Sequence, residues 1–240
     1  MTLLTILEIV AAGVIALGCA LYYACAVVTS QTLGRSLVHG PADRRAIALT
    51  FDDGPTTPFT EQILDTLRKY NVPATFFVCG KNVERHPDIL RRIHAEKHSI
   101  GNHTYSHPFL CVKRQGRIAE EIDRTQAVIE GLTGRRPKIF RPPFGIRWFG
   151  LFPLLRERGI EDVQWSDAGF DWINRNSPAE IARLALRRLR PGSVILLHDG
   201  HDTLPAGRCD RSRTVAALPA IIEGARKAGF SFVSVEDFIS

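Results

Sequence analysis

Covalent cross-links are scarce in this chain of 240 residues, which has only five cysteines. Cys19 and Cys25 fall in an apolar N-terminal run, and Cys79 sits in a second apolar stretch where a buried thiol is expected. Cys111 and Cys209 remain, either one bridge if their loops meet or two free thiols, because separation along the chain says nothing about sulfur geometry. Internal repeats and low-complexity tracts are absent too, which leaves a chain of this length and 45% hydrophobic content as one globular domain with a core of its own. There is no acidic excess. The net charge is +6 and the pI is near 9.3, which favours anionic surroundings such as phospholipid head groups or a charged cell-wall polymer. Nucleic acid is not the expected partner, since Arg91, Arg92, Arg135, Arg136, Arg187, Arg188 and Arg190 are scattered, with no aromatic-interleaved stripe or recognised motif beside them.

Charge is missing altogether from residues 9–28. As a helix rising 1.5 Å per residue, such a run matches the roughly 30 Å hydrocarbon layer of a bilayer. A retained single span is the reading taken. A cleaved signal peptide, with Ala24-Cys25-Ala26 at the cleavage site, is the rival, but it calls for a basic start and a shorter run, whereas Glu8 is the only charged side chain ahead of this one. Arg35, Arg44 and Arg45 follow the span, and the positive-inside tendency alone would keep the domain in the cytoplasm.

Residues 1–28 are thus an anchor or signal segment, 29–43 a linker rich in Ser, Thr, Gly and Pro, and 44–240 the catalytic domain. Within the domain, short apolar runs alternate with segments of helical period. Strands are expected at 46–51, 75–78, 99–100, 139–140, 162–165, 194–197 and 231–234, and helices at 60–70, 83–97, 117–131, 150–158, 178–189 and 215–228. Ser177 and Glu180 form a capping-box pattern around Pro178, while Gly159 and Gly229 stand where a left-handed helix end is needed. The alternation predicts a mainly parallel sheet, either doubly wound or closed as a barrel.

Five polar clusters follow predicted strands: Asp52-Asp53-Gly54-Pro55, His103 to His107, Arg141-Pro142-Pro143-Phe144-Gly145, Asp167 to Trp172, and His198-Asp199. An open sheet collects ligands at one switch point, whereas a barrel brings most strand ends around one mouth, so five participating loops favour the barrel. Asp-Asp-Gly-Pro alone suits a turn or a helix cap. His103 and His107 stand between Gly101 and Pro108, which argues for an irregular loop over a helix, and two imidazoles with one carboxylate make a catalytic zinc set with a position left open.

Together these residues resemble the polysaccharide deacetylases, also called the NodB-homology or carbohydrate esterase family four domain. Thr50-Phe51-Asp52-Asp53-Gly54, His103-Thr104-Tyr105-Ser106-His107, Arg141-Pro142-Pro143-Phe144-Gly145 and Leu196-Leu197-His198 stand as four of the family's motifs, in order and each after a predicted strand. The remaining motif departs from the pattern: in Trp165 to Trp172, Ala168 occupies the earlier acidic position. Asp171 and Trp172 are carried over, and Asp167 is read as a loop residue.

The resemblance implies a distorted (β/α) barrel of about seven strands, preceded by one membrane helix, that hydrolyses N-acetyl groups on an amino-sugar polymer or glycolipid. It implies that Asp53, His103 and His107 hold a divalent metal, zinc first, with cobalt or nickel also compatible with the ligands. Asp52 is then the base, His198 the acid on the departing amine, Arg141 the group orienting Asp52, and Asp171 the group orienting His198. Leu196, Trp172, Pro143 and Phe144 are expected at the substrate, and His201 and Asp202 as exposed loop residues. The same resemblance leans towards an extracytoplasmic domain, against the vote of the three arginines. Two rivals remain: removal of a formyl or acetyl group from a lipid-linked sugar, and a sugar-binding pseudoenzyme. Binding alone needs no matched acid and base, which counts against the pseudoenzyme.

Overall fold

The computed structural model describes residues 2–111, 113–201 and 210–239. Helix α1 (Leu3–Ala26) is followed by β1 (Ser36–Leu37), β2 (Ala46–Asp52), α2 (Phe59–Tyr70), β3 (Thr75–Val78), α3 (Gly80–Arg85), α4 (Pro87–Ala95) and β4 (Ser99–Asn102). The second half runs α5 (Gln115–Thr133), β5 (Ile139–Phe140), α6 (Leu151–Glu157), β6 (Glu161–Val163), β7 (Asp167–Ala168), α7 (Pro178–Leu186), β8 (Val194–His198), α8 (Ser212–Lys227) and β9 (Ser231–Val233).

All the named strand pairs are parallel, in the order β1-β6-β5-β4-β3-β2-β8-β7, with β9 added to β2. This order forces the sheet to curl. In a flat sheet β6 and β7 would lie about 29 Å apart at the usual strand spacing, yet only residues 164–166 separate them, a reach of at most about 14 Å. The chain crosses the seam at that point: the Gln164 N–H donates to the Leu37 carbonyl of β1, and the Ser166 N–H donates to the Val194 carbonyl of β8. An antiparallel bridge between His39 and Ser193 and a 2.8 Å bond from Gly40 N–H to the Gly192 carbonyl tie the same seam. A Cβ on Gly192, whose φ is +81°, would meet the Gly40 backbone at 2.2 Å, so the approach requires glycine. Residues 29–43 are therefore folded onto the barrel through β1, and among the described residues the expected seven or so strands become nine.

The helices cover the sheet with the stripes their sequences carry. Ile63, Leu64 and Leu67 of α2, Ile118, Ile122 and Ile129 of α5, and Leu218, Ile221 and Ile222 of α8 are all buried, each worth about 1.5–3 kcal/mol relative to exposure. The helix expected over 83–97 is two helices, because Pro87 starts α4 and His86 takes a non-helical φ of −131° before it. Ser177 caps α7 by accepting from the Glu180 N–H, while the Glu180 carboxylate turns to Arg183 at 2.6 Å, so half of the capping box forms. Gly159 and Gly229 take φ of +64° and +81° at helix ends, as their positions predict. Asp167, expected in a loop, instead begins β7, where Asp167 and Ala168 pair with Ile195 and Leu196.

Candidate active site

Asp52 and His198 end β2 and β8, and His103, Arg141 and Asp171 follow β4, β5 and β7, so five strands deliver polar side chains to one end of the barrel. There they surround a cavity of about 340 Å³ lined by Asp52, Asp53, His103, His107, Phe144, Gly145, Trp165, Trp172, Leu196, His198, His201 and Arg211. The loops are held in left-handed backbone at Asp53 (φ +74°), Thr104 (+67°), His107 (+52°), Phe144 (+59°) and Phe170 (+53°). Such conformations are costly for residues with a Cβ, above all for a β-branched threonine, and persist where the surroundings over-determine them.

Those surroundings are identifiable. The buried Glu121 of α5 accepts from the N–H groups of Tyr105 and Ser106, at 3.0 and 2.7 Å, and from the Ser106 hydroxyl. Asn102 accepts from the Thr104 N–H, and Thr104 Oγ1 accepts from the His107 N–H. On the other side, Asp199 accepts from Gly54 N–H and from Thr60 Oγ1. A Cβ on Gly54 would run into the Asp199 carboxylate. Burial, with the charges of Asp53 and Asp52 adding to it, raises the Asp199 carboxyl to about 7.

At the centre, Asp53 Oδ1 lies 3.3 Å from His103 Nε2 and 3.2 Å from His107 Nε2. It is buried and makes no hydrogen bond. His103 Nδ1 is 2.7 Å from the Arg141 carbonyl, an acceptor only, so Nδ1 carries a proton and Nε2 is the atom turned towards the carboxylate. A buried carboxylate oxygen and two imidazole Nε2 atoms turned to one point are a donor set that fits a cation, and a ring N–H fixed by a backbone carbonyl is the usual support of a metal-binding histidine. The three ligand atoms lie within 4.8 Å of one another. Burial opposes ionisation of Asp53, but the close approach of His103 and the charges of His107, His198 and His103 outweigh it and hold the carboxyl well below its ordinary range.

Beside this group, Arg141 is fully buried and makes hydrogen bonds from all three guanidinium nitrogens. It donates to Asp52 Oδ1 at 2.7 Å and Thr50 Oγ1 at 2.8 Å, and to the Val163 and Gln164 carbonyls. Burial lowers its pKa from the ordinary value, against the opposing pull of Asp52. Across the cavity, His198 Nδ1 is 2.9 Å from Asp171 Oδ1, while Asp171 Oδ2 accepts from the His198 N–H and from Thr214 Oγ1. Burial disfavours the imidazolium, but the Asp171 charge and hydrogen bond prevail and raise His198 to about 8. Asp171 is correspondingly held below its ordinary range: burial pushes it up, and His198 more than offsets this.

The sequence-predicted residues therefore meet, with particulars the sequence did not reveal. Leu196, Phe144 and Trp172 line the cavity, whereas Pro143 is buried and absent from its wall. His201, expected on an exposed loop, is partly buried at the cavity, and Asp202 and Cys209 lie outside the described residues. Arg211, which donates to the Gly200 carbonyl at 2.8 Å, Thr214 and Trp165 are additional contributors. Neither Arg211 nor Thr214 stands in a motif, so no sequence signal marked them.

The sequence pattern of the family described as polysaccharide deacetylase matches residues 39–161. A peptidoglycan-N-acetylglucosamine deacetylase of Bacillus cereus is 40% identical over 196 residues, covering 82% of this chain and 69% of that protein. The chain belongs to the polysaccharide deacetylase family. A chitooligosaccharide deacetylase of Rhizobium leguminosarum bv. trifolii is 38% identical, covering 81% of this chain and 92% of its own length. Among solved structures, the peptidoglycan N-acetylglucosamine deacetylase Bc1960 is 38% identical with a TM-score of 0.76, over 84% of this chain and 91% of that one. A pseudoenzyme of the family from Bacillus anthracis reaches a TM-score of 0.77 at 22% identity, over 86% of this chain and 69% of that one. At that identity the likeness concerns the fold alone, so catalysis has to be argued from the site.

Proposed function

We propose that this deacetylase removes N-acetyl groups from amino-sugar residues of a peptidoglycan- or chitin-like glycan, with Asp53, His103 and His107 holding one divalent ion, zinc in preference. The observation that carries the reading is the pairing, within one cavity, of this acceptor triad with the His198–Asp171 couple. A bound ion supplies Lewis acidity towards the acyl carbonyl and acidifies water. Asp52, held in place by Arg141, accepts the proton from the attacking water. His198, kept cationic by Asp171, gives a proton to the departing amine, which would otherwise leave poorly. Leu196, Trp172 and Phe144 enclose the acyl and sugar groups. Release of acetate from acetylated amino-sugar oligomers, present with zinc and lost with chelator, tests the reading.

The His198–Asp171 pair makes a measurable prediction independent of turnover. In metal-free protein, NMR titration of His198 should give a value near 8, and Asp171→Asn should bring it back towards the ordinary histidine value of 6.5. Because the folded-state value is raised, the pair stabilises the fold fully below 6.5 and loses that contribution as pH rises through about 8. An unchanged His198 titration in the Asn variant would remove Asp171 from its assigned role.

Helix α1 passes the length and hydropathy test for a membrane span, and none of its most apolar window is buried. We read it as a retained anchor with an extracytoplasmic domain. Fractionation should find the full chain in membranes, whereas a soluble mature protein beginning near Val27 would mark the segment as a cleaved signal.

A further inference from the structure

The foot of α1 is clasped by the barrel at the active-site mouth. Of its residues only Ala24 and Cys25 are buried, so the helix stands off the domain and touches it at its last turn. There the Arg147 N–H donates to the Cys25 carbonyl at 2.9 Å. The Arg147 guanidinium, itself buried, donates to the Ser30 carbonyl at 2.8 Å, to that of Val28 at 3.2 Å and to that of Val27. One carbonyl of the last helical turn, that of Cys25, and three in the residues just beyond it are thus bonded by Arg147. Arg147 lies two residues beyond Gly145, a wall residue of the cavity, a separation of at most about 7 Å.

The rim at this point is aromatic and open to solvent. Phe144, Phe149 and Phe109 are 56%, 53% and 51% exposed. Phe109 packs on Phe144 at 6.0 Å, and Phe144 packs in turn on His107 at 4.6 Å between ring centroids. Tyr22 and Tyr23 near the end of α1 are exposed as well, the placement aromatic side chains take at a membrane–water boundary. Phe109 and Phe144, packed together and exposed beside the cavity, mark an interaction surface; Phe149 is exposed two residues beyond Arg147, and the apolar helix whose end Arg147 holds supplies the partner.

We propose that the mouth of the barrel is held against the bilayer surface, with Phe109, Phe144 and Phe149 seated in the interfacial layer. The amino sugar deacetylated is then one carried on a membrane lipid. The docking rests on α1 being a retained span, and the substrate class rests on the deacetylase reading above. With no slack between span and mouth, a glycan held by a membrane lipid meets the cavity at the height where it is anchored.

The test uses the full chain in phosphatidylcholine–phosphatidylglycerol vesicles, with photoreactive benzoylphenylalanine replacing Phe109, Phe149 or Ile239 in turn. Ile239 is the control, being exposed beside Ser99 and Glu161 at the opposite end of the barrel. Lipid adducts, read by mass spectrometry, should form from 109 and 149 and not from 239. Absence of adducts at 109 and 149, or equal yields at all three positions, would overturn the docking. The double variant Phe109→Ser, Phe149→Ser should keep its activity on a soluble acetylated oligosaccharide and lose about tenfold on the same sugar attached to a lipid in the vesicle. Equal activity of parent and variant on the lipid-borne sugar, or an equal loss on both substrates, would refute the substrate class. If the parent turned over neither sugar, the deacetylase reading would fail, and the cross-linking would still decide the docking.

Discussion

Removing any one of the three proposed metal ligands should cost the protein its ion and its activity together, and leave its fold. Asp53 Oδ1 lies 3.2–3.3 Å from the two histidine Nε2 atoms, so each lost ligand leaves a set of two, short of the three that catalytic sites use. Activity should fall by roughly a thousandfold or more, the rate equivalent of the several kcal/mol a metal contributes to charge stabilisation. The choice of substitution matters. Asp53 and His107 occupy left-handed backbone at φ +74° and +52°, where alanine adds a strain of about 1–2 kcal/mol that asparagine largely avoids. Asp53→Asn, His107→Asn and His103→Ala are therefore the informative variants. The parent should show a melting temperature that rises with added zinc, by the equivalent of about 2.7 kcal/mol at a hundredfold excess over Kd. The variants should melt at one temperature with or without it. Undiminished metal content in all three purified variants would refute the ligand set.

The polar residues that line the cavity could be read from the sequence because a barrel puts such groups in short, contiguous pieces at strand ends. Asp52 and Asp53 follow an uninterrupted apolar strand, and His103 and His107 are fenced by Gly101 and Pro108, so both the location and the non-helical loop were inferable. What escaped was whatever the chain supplies through pairing and not through pattern. β1 and β7 have two residues each, too few to show an alternation. β1 lies in a Ser- and Gly-containing stretch that reads as a linker, and β7 begins with Asp167, which reads as a loop. Both become strands because the curled sheet offers them open edges at the seam.

Buried polar residues were hidden for a related reason. Arg147, Glu121, Asp199 and Arg211 are each less than a tenth exposed, though charged side chains are expected in water. Each is buried because it satisfies backbone or hydroxyl groups brought close by the tertiary fold: Arg147 the end of α1, Glu121 the His103–His107 loop, Asp199 the turn after β2, and Arg211 the Gly200 carbonyl. The partners of Arg147 and Asp199 are more than a hundred residues away and those of Glu121 and Arg211 lie 11 to 16 residues away, and the spacing that revealed the motifs carries no trace of them.

Acid and base should separate on a change of leaving group. Asp52→Asn keeps the shape and the bond to Arg141 but removes the proton acceptor, while His198→Ala removes the donor held by Asp171. Each should lower amide turnover by about 10² to 10⁴. An activated ester releases an anion that needs little protonation, so the His198 variant should recover much of its relative activity on such a substrate. The Asp52 variant should stay impaired, because water must still lose its proton whatever leaves. The two sites are also supported separately: Arg141 holds Asp52 from β5, and Asp171 and Thr214 hold His198 from beyond β7 and from α8, so damage to one support need not reach the other. The ratio of ester to amide activity should therefore rise markedly only when His198 is lost. Equal defects on both substrates in both variants would overturn this division of roles, and would leave the Asp53, His103 and His107 assignment standing, since metal content tests it independently.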